Sequence, residues 1–130
     1  MTDFPANKYF SRAELACKHT GKCEMDPAFM ERLIRLRERF NHPMVITSGY
    51  RDKTHPVEAN KGTSGAHVQG RAVDVAITGG DALRLIGLAL DLGFTGVGVK
   101  QHGPHAGRFI HLDTCPAAAM QPRPTIFTYP

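Results

Sequence analysis

The chain has 130 residues, of which 42% are hydrophobic and 22% charged, and its formal net charge is +4. This length suits one domain with a hydrophobic core, so we expect a single domain over residues 1–130. The composition argues against disordered and fibrous classes. The positive charge favours an anionic partner, such as a cell-wall polymer, a membrane surface or nucleic acid. Because the basic residues are scattered and no base-stacking aromatic pattern is present, we expect no nucleic-acid partner.

No stretch approaches the roughly 20 apolar residues that a membrane span needs, so we expect no membrane insertion. Residues 1–5 have neither the basic nor the apolar region of a signal peptide, and we expect synthesis in the cytoplasm. Cys17, Cys23 and Cys115 make an odd number, which argues against a complete disulfide framework. Cys17 and Cys23 are either structural thiols, a pair that forms under oxidising conditions, or, with His19, ligands of a second metal. Structural thiols are the default.

The predicted elements begin with two helices. A capping-box pattern at Ser11–Glu14 predicts a short helix to about Cys17, and Asp26-Pro27 predicts the start of a second helix that ends at Asn41. Apolar residues at helical spacing make the second helix part of the core.

The strands follow in the second part of the chain. Residues 43–48 predict a first strand, and the polar, glycine-rich stretch 49–70 is a long loop of the kind that often carries function. The further elements are strands at 72–77, 95–100 and 108–113, a helix at 81–92, a hairpin loop at 102–107 and a proline-rich tail at 116–130, which we expect to wrap the surface. This order predicts an α+β fold with a small, mainly antiparallel sheet and packed helices.

Three residues stand out chemically. Asp74 lies in the middle of an apolar strand, where an ionised carboxylate is costly unless it is paired or binds metal. His67 lies seven residues upstream in the preceding loop, and His111 is flanked by apolar residues on another strand. Two imidazoles and one carboxylate are a sufficient ligand set for a catalytic zinc. Alternatively, Asp74 pairs with Arg51 or Arg71, and the histidines are hydrogen-bonded core residues.

The residues around these three form a wider pattern. It consists of Ile46-Thr47-Ser48-Gly49-Tyr50-Arg51, then Ser64-x-x-His67-x-x-Gly70-x-Ala72-x-Asp74, and later Phe109-Ile110-His111-Leu112-Asp113. The pattern resembles the zinc DD-peptidase family, and looks closest to its short members, which include D-Ala-D-Ala carboxypeptidases and peptidoglycan-cleaving phage proteins. The resemblance extends from about Phe10 into the tail, where residues Arg123 to Tyr129 also look family-like, and implies a hedgehog/DD-peptidase-like fold.

Carried over residue by residue, the resemblance implies that His67, Asp74 and His111 bind one zinc per chain. Arg51 corresponds to the family arginine that steadies the substrate carbonyl or carboxylate; the simpler alternative is a salt bridge to Asp52 or Asp74. Ser64 either orients substrate or caps the loop.

The remaining roles concern protons and ligand orientation. Asp113 is expected to fix a ligand imidazole, and lies on the same face of its strand as His111. No Glu or Asp lies just upstream of His111, where the common family pattern has its general base. The histidines of the preceding loop are His102 and His105, and His105 fits better by spacing. Both could equally be plain solvent-exposed residues.

The resemblance therefore implies a zinc-dependent metallopeptidase that hydrolyses amide bonds in peptidoglycan stem peptides, as a carboxypeptidase or an endopeptidase. We expect a monomer that acts at the cell wall, reached through phage or prophage release or by unconventional export. The alternative is a non-hydrolytic zinc module, with a recognition or structural role in a phage or virion.

Overall fold

The computed structural model describes residues 7–59 and 65–130. Three helices and five strands follow in chain order: α1 (Arg12–Leu15), α2 (Pro27–Phe40), β1 (Val45–Ser48), β2 (Ala72–Ala76), α3 (Gly79–Asp91), β3 (Gly96–Lys100), β4 (Phe109–Asp113) and β5 (Thr125–Thr128). A short 3-10 turn, His105–Gly107, lies between β3 and β4. The predicted α+β class is confirmed. Within the described residues, no helix is long and apolar enough to cross a membrane.

Both predicted helix starts are confirmed by their caps. The Ser11 hydroxyl accepts a hydrogen bond from the Glu14 N–H at 3.2 Å, while the Glu14 carboxylate accepts one from the Ser11 N–H at 2.8 Å. The Asp26 carboxylate accepts a hydrogen bond from the Phe29 N–H, and α2 ends at Asn41, whose φ is 57°. α3 begins two residues earlier than predicted, at Gly79.

The sheet has the strand order β1-β2-β4-β3-β5. Four strands form antiparallel pairs, and β3 and β4 form the predicted hairpin. The fifth strand, β5, pairs in parallel with β3. Our expectation that the tail only wraps the surface is therefore wrong for this segment. The Thr-Ile-Phe-Thr run is rich in β-branched and aromatic residues, which favour an edge strand. The flanking prolines argue against a strand and so outweighed this signal in the sequence.

The two faces of the sheet carry different kinds of side chain. Successive side chains of a strand point to opposite faces, so Val73 and Val75 on β2 face away from Asp74. These valines are fully buried and belong to one hydrophobic cluster with residues of α2 and α3. The same alternation on β4 separates the buried Ile110 and Leu112 from His111. The helices thus cover one face, and the opposite face carries the polar residues.

Candidate metal centre

The middle of the sheet brings Asp74 and His111 together. They are directly opposite each other in the antiparallel pair β2–β4, and His111 Nδ1 lies 3.1 Å from Asp74 Oδ1. His67 comes from the loop before β2, and its Nε2 lies 3.3 Å from the same oxygen. One ligand atom from each of the three residues lies within 4.8 Å of the others, and all three residues are buried.

The remaining ring nitrogen of each histidine has an acceptor that sets the tautomer. His67 Nδ1 lies 2.7 Å from the Gly49 carbonyl oxygen, and His111 Nε2 lies 2.7 Å from Asp113 Oδ2. A carbonyl and a carboxylate can only accept, so these nitrogens carry the N–H. A neutral imidazole with this N–H has its lone pair on His67 Nε2 or His111 Nδ1, the nitrogens that face the shared centre beside Asp74. Histidine ligands of metals usually have such a partner on their other nitrogen.

This geometry fits a zinc ion. Ligand atoms bound at about 2.0–2.1 Å in a tetrahedron are about 3.3 Å apart, close to the 3.1 and 3.3 Å separations found here. Two imidazoles and a carboxylate also form the three-ligand set of catalytic zinc sites, which leave a further position for water or substrate.

Among residues 7–59 and 65–130, this is the one group of three or more His, Cys, Asp or Glu side chains whose ligand atoms lie close enough to hold a metal ion. The described residues therefore contain no second metal site of this kind. Cys17, Cys23 and Cys115 are buried free thiols, as the default interpretation predicted. Cys17 Sγ accepts a hydrogen bond from the Asp52 N–H at 3.3 Å, which places that thiol in the structural packing between α1 and the loop after β1.

Arg51 joins the site from the loop after β1. Its Nη2 lies 3.5 Å from Asp74 Oδ2, and its Nη1 donates to Glu58 Oε2 at 3.2 Å. Sequence reasoning proposed a pair with an aspartate but missed Glu58, which lies in a polar loop without a periodic pattern. The Arg51 side chain is 19% exposed and lines the same cavity as the three metal-binding residues.

Asp113 lies two residues after His111, at the end of β4. It is fully buried and bonds His111, and both of its oxygens also accept from the Arg123 guanidinium. The side chain of Asp113 lies opposite Gly96 on β3, where an added Cβ atom would overlap the carboxylate. Gly96 thus leaves the space that the carboxylate occupies.

The titration behaviour follows from these contacts. Burial alone would raise the pKa of Asp74, but hydrogen bonds from His111 and His67 outweigh it and hold that pKa well below its ordinary value. Burial would likewise raise the pKa of Asp113, yet its bonds to His111 and Arg123 lower it to about 2. Burial lowers the pKa of His111, but its bonds to Asp113 and Asp74 outweigh this and raise it. Both carboxylates are therefore ionised at neutral pH.

The tail forms one wall of the cavity, whose volume is about 320 Å³. The Phe127 ring centroid lies 5.2 Å from that of His111, and Tyr129 packs against Phe127 at 5.6 Å and Phe109 at 4.9 Å. Burial and the nearby Asp74 carboxylate raise the pKa of Tyr129, so its phenol remains protonated. The role of this wall was missed, because apolar and polar residues do not alternate regularly in 125–129.

One predicted site residue, His105, is not brought into this arrangement. His105 is exposed on the 3-10 turn before β4 and is not among the residues that line the cavity. The neighbouring His102 contacts the tail, with Nε2 3.2 Å from the Tyr129 carbonyl oxygen. Ser64 lies outside the described residues.

The α+β fold and the converging His–Asp–His group together define a metallopeptidase. A family model described as Peptidase M15 matches residues 8–113. The chain belongs to the peptidase M15 family, whose members are zinc peptidases. A comparison with curated proteins gives no match. The tail residues that line the cavity lie beyond the matched range.

Acid unfolding of the metal-free protein tests the Asp113 network. A carboxyl with a lowered pKa contributes stability that is present above its unfolded pKa, about 3.9, and is lost as the pH falls through its folded pKa. For Asp113 the folded value is about 2. We expect the free energy of unfolding of the wild type to fall more steeply between about pH 4 and pH 2 than that of Asp113→Asn. Denaturant titrations followed by circular dichroism measure both slopes, and equal slopes would contradict the assigned network.

Proposed function

We propose that the protein is a zinc-dependent peptidase that hydrolyses amide bonds in peptidoglycan stem peptides, as a DD-carboxypeptidase or a related endopeptidase. The observation that carries this proposal is the buried His–Asp–His group in a cavity that also contains an arginine. Membership of the peptidase family supports the amide substrate. The stem-peptide substrate rests on the wider sequence pattern and on the +4 charge, which suits an anionic wall.

His67 Nε2, an oxygen of Asp74 and His111 Nδ1 are the proposed ligands of one zinc ion per chain. Bound there, zinc would supply Lewis-acid chemistry, polarising the scissile carbonyl and activating a water molecule. The Gly49 carbonyl and Asp113 would hold the two imidazoles in the tautomer that binds a metal through His67 Nε2 and His111 Nδ1. The side chains are thus placed before the substrate arrives, which limits reorganisation during the reaction.

Arg51 is proposed to stabilise negative charge on the substrate. Each of its Nη nitrogens carries two N–H groups, and one bond to Glu58 and one contact with Asp74 leave further donors for the cavity. The two carboxylates hold the guanidinium in place, and its planar fork suits either a developing oxyanion or a terminal carboxylate.

His105 is the proposed proton carrier. It lies on the turn that leads into β4, the strand that carries His111. Its exposed position requires that the bound peptide extend from the cavity to this turn. Tyr129, whose protonated phenol lies in the cavity wall, is the residue that would replace it in this role.

The proposed location follows from the proposed substrate. We propose a monomer that acts at the cell wall. Ser64 remains a proposed substrate-orienting residue of the loop before His67.

Metal content and muropeptide cleavage, measured in parallel, test the proposed function. We expect about one zinc per wild-type chain and release of new amine termini, and neither for His67→Ala, because it removes one of three ligands. His19→Ala is the matched control, since this exposed histidine lies between Cys17 and Cys23. It should retain both zinc and activity. Wild-type protein that binds no zinc under zinc-replete conditions would overturn the proposal, and zinc without cleavage would remove its hydrolytic part.

Two conservative variants test the assisting residues in the same assay. Arg51→Lys should lower kcat/KM by about 10²–10³-fold with zinc retained, because one ammonium cannot reproduce the guanidinium fork. His105→Gln should lower kcat by about 10²-fold or more, the usual effect of losing a general acid–base group. His42→Gln, an exposed histidine elsewhere, is the control. An unchanged kcat for His105→Gln would rule out this assignment, and Tyr129→Phe would then test the phenol.

A further inference from the structure

Arg123 makes the closest paired contact of any arginine near the metal centre. Its Nε donates to Asp113 Oδ1 at 2.9 Å and its Nη2 donates to Asp113 Oδ2 at 2.8 Å. Its Nη1 donates to the Pro122 carbonyl oxygen at 2.7 Å, which fixes the guanidinium to its own backbone. Such a bidentate pair sets the plane of a carboxylate as well as its distance.

The same carboxylate holds a proposed metal ligand. Asp113 Oδ2, which receives the Nη2 bond of Arg123, also lies 2.7 Å from His111 Nε2. Asp113 Oδ1 accepts a further bond from the Cys115 N–H at 3.1 Å, and Gly96 closes the space on the β3 side. The orientation of the His111 ring therefore depends on a carboxylate whose plane is set by Arg123.

The positive charge of Arg123 is a second reason why the position of Asp113, and with it that of His111, depends on this arginine. Asp113 is fully buried, and a buried carboxylate needs a compensating positive charge. A metal-binding imidazole is neutral, so His111 can give Asp113 a hydrogen bond but no charge. Arg123, whose side chain is 11% exposed, is the cation that forms an ion pair with Asp113 in the described part of the chain, apart from His111 itself.

We propose that Arg123 is a positioning residue of the metal centre, which acts through Asp113 to hold His111 Nδ1 toward Asp74. The proposal rests on the proposed function, because it takes the His–Asp–His group as the zinc site. It extends the centre into the tail, beyond the residues 8–113 that the family model covers.

The experiment measures the zinc dissociation constant by competition with a chelator, on wild type, Arg123→Gln and Arg123→Lys. We expect Arg123→Gln to bind zinc about 10–100-fold more weakly, the usual effect of removing a partner of a metal ligand. Arg123→Lys restores the charge but not the paired bonds, so we expect an intermediate constant. Arg84→Gln is the matched control, because Arg84 joins α3 to the Phe40 carbonyl away from the site, and its constant should be unchanged.

Two further readouts separate positioning from general stability. In the metal-free protein, at a pH at which the imidazoles are neutral, ¹⁵N NMR should show the Nε2–H tautomer of His111 in wild type and Arg84→Gln, and a changed tautomer mixture in Arg123→Gln. In an Asp113→Asn background, the effect of Arg123→Gln on zinc affinity should disappear, since the two residues act in series.

A wild-type zinc constant and an unchanged His111 tautomer in Arg123→Gln would overturn this proposal while leaving the zinc site intact. Persistence of the full Arg123→Gln effect in the Asp113→Asn background would also overturn it. Failure of the wild type to bind zinc is a different result, because it removes the proposed function itself. If Arg123→Gln does not fold, Arg123→Lys carries the test, and a wild-type constant for that variant together with an unchanged tautomer contradicts the proposal.

Discussion

Asp74 and His111 are directly opposite each other on adjacent antiparallel strands, and this pairing links the core to the site. The residues next to them in sequence, such as Val73 and Leu112, are also paired and point into the core. A shift of the register by one residue would turn the apolar side chains outward and the polar ones inward. The hydrophobic pattern that folds the sheet therefore also determines where the metal-binding atoms lie.

The charged side chains of the site form carboxylate–arginine pairs. Each of the two buried carboxylates has an arginine: Arg51 lies beside Asp74 and Arg123 beside Asp113. These cations offset the cost of burying the two negative charges, which would otherwise be several kcal/mol for each ion. A metal-bound imidazole is neutral and supplies no charge to either carboxylate, so the arginines are the compensating cations. Both arginines line the cavity, where substrate would lie, and Arg123 is also bound through two hydrogen bonds to the carboxylate behind His111.

Glycine makes this arrangement sterically possible. A Cβ at Gly98, opposite His111, would come within 2.6 Å of the Phe127 ring and 2.9 Å of the His111 side chain. The alternation of glycine and valine in β3 thus gives one face to the core and leaves the other open for the site. Phe127 fills part of that opening and contacts the His111 ring. The parallel pairing of β5 with β3 brings this aromatic residue into place.

Local signals in the sequence predicted most of the fold. The capped helices and the strands 72–77 and 108–113 have clear periodicity, and the His67, Asp74 and His111 set followed from their spacing within a wider pattern. The contributions of the tail could not be predicted in the same way. The partners of β5 and Arg123 lie on β3 and β4, and no local pattern in a proline-rich segment indicates such pairing. Sequence spacing favoured His105, whose exposed turn position depends on the tertiary fold.

The central claim is that two imidazoles and one carboxylate bind zinc on the open face of the sheet. X-ray absorption spectroscopy at the zinc edge, on the zinc-loaded protein, tests it most directly. We predict only nitrogen and oxygen neighbours at about 2.0–2.1 Å, with the outer-shell pattern of two imidazoles. A sulfur shell at about 2.3 Å would contradict the account, because it would place the metal on the cysteines instead.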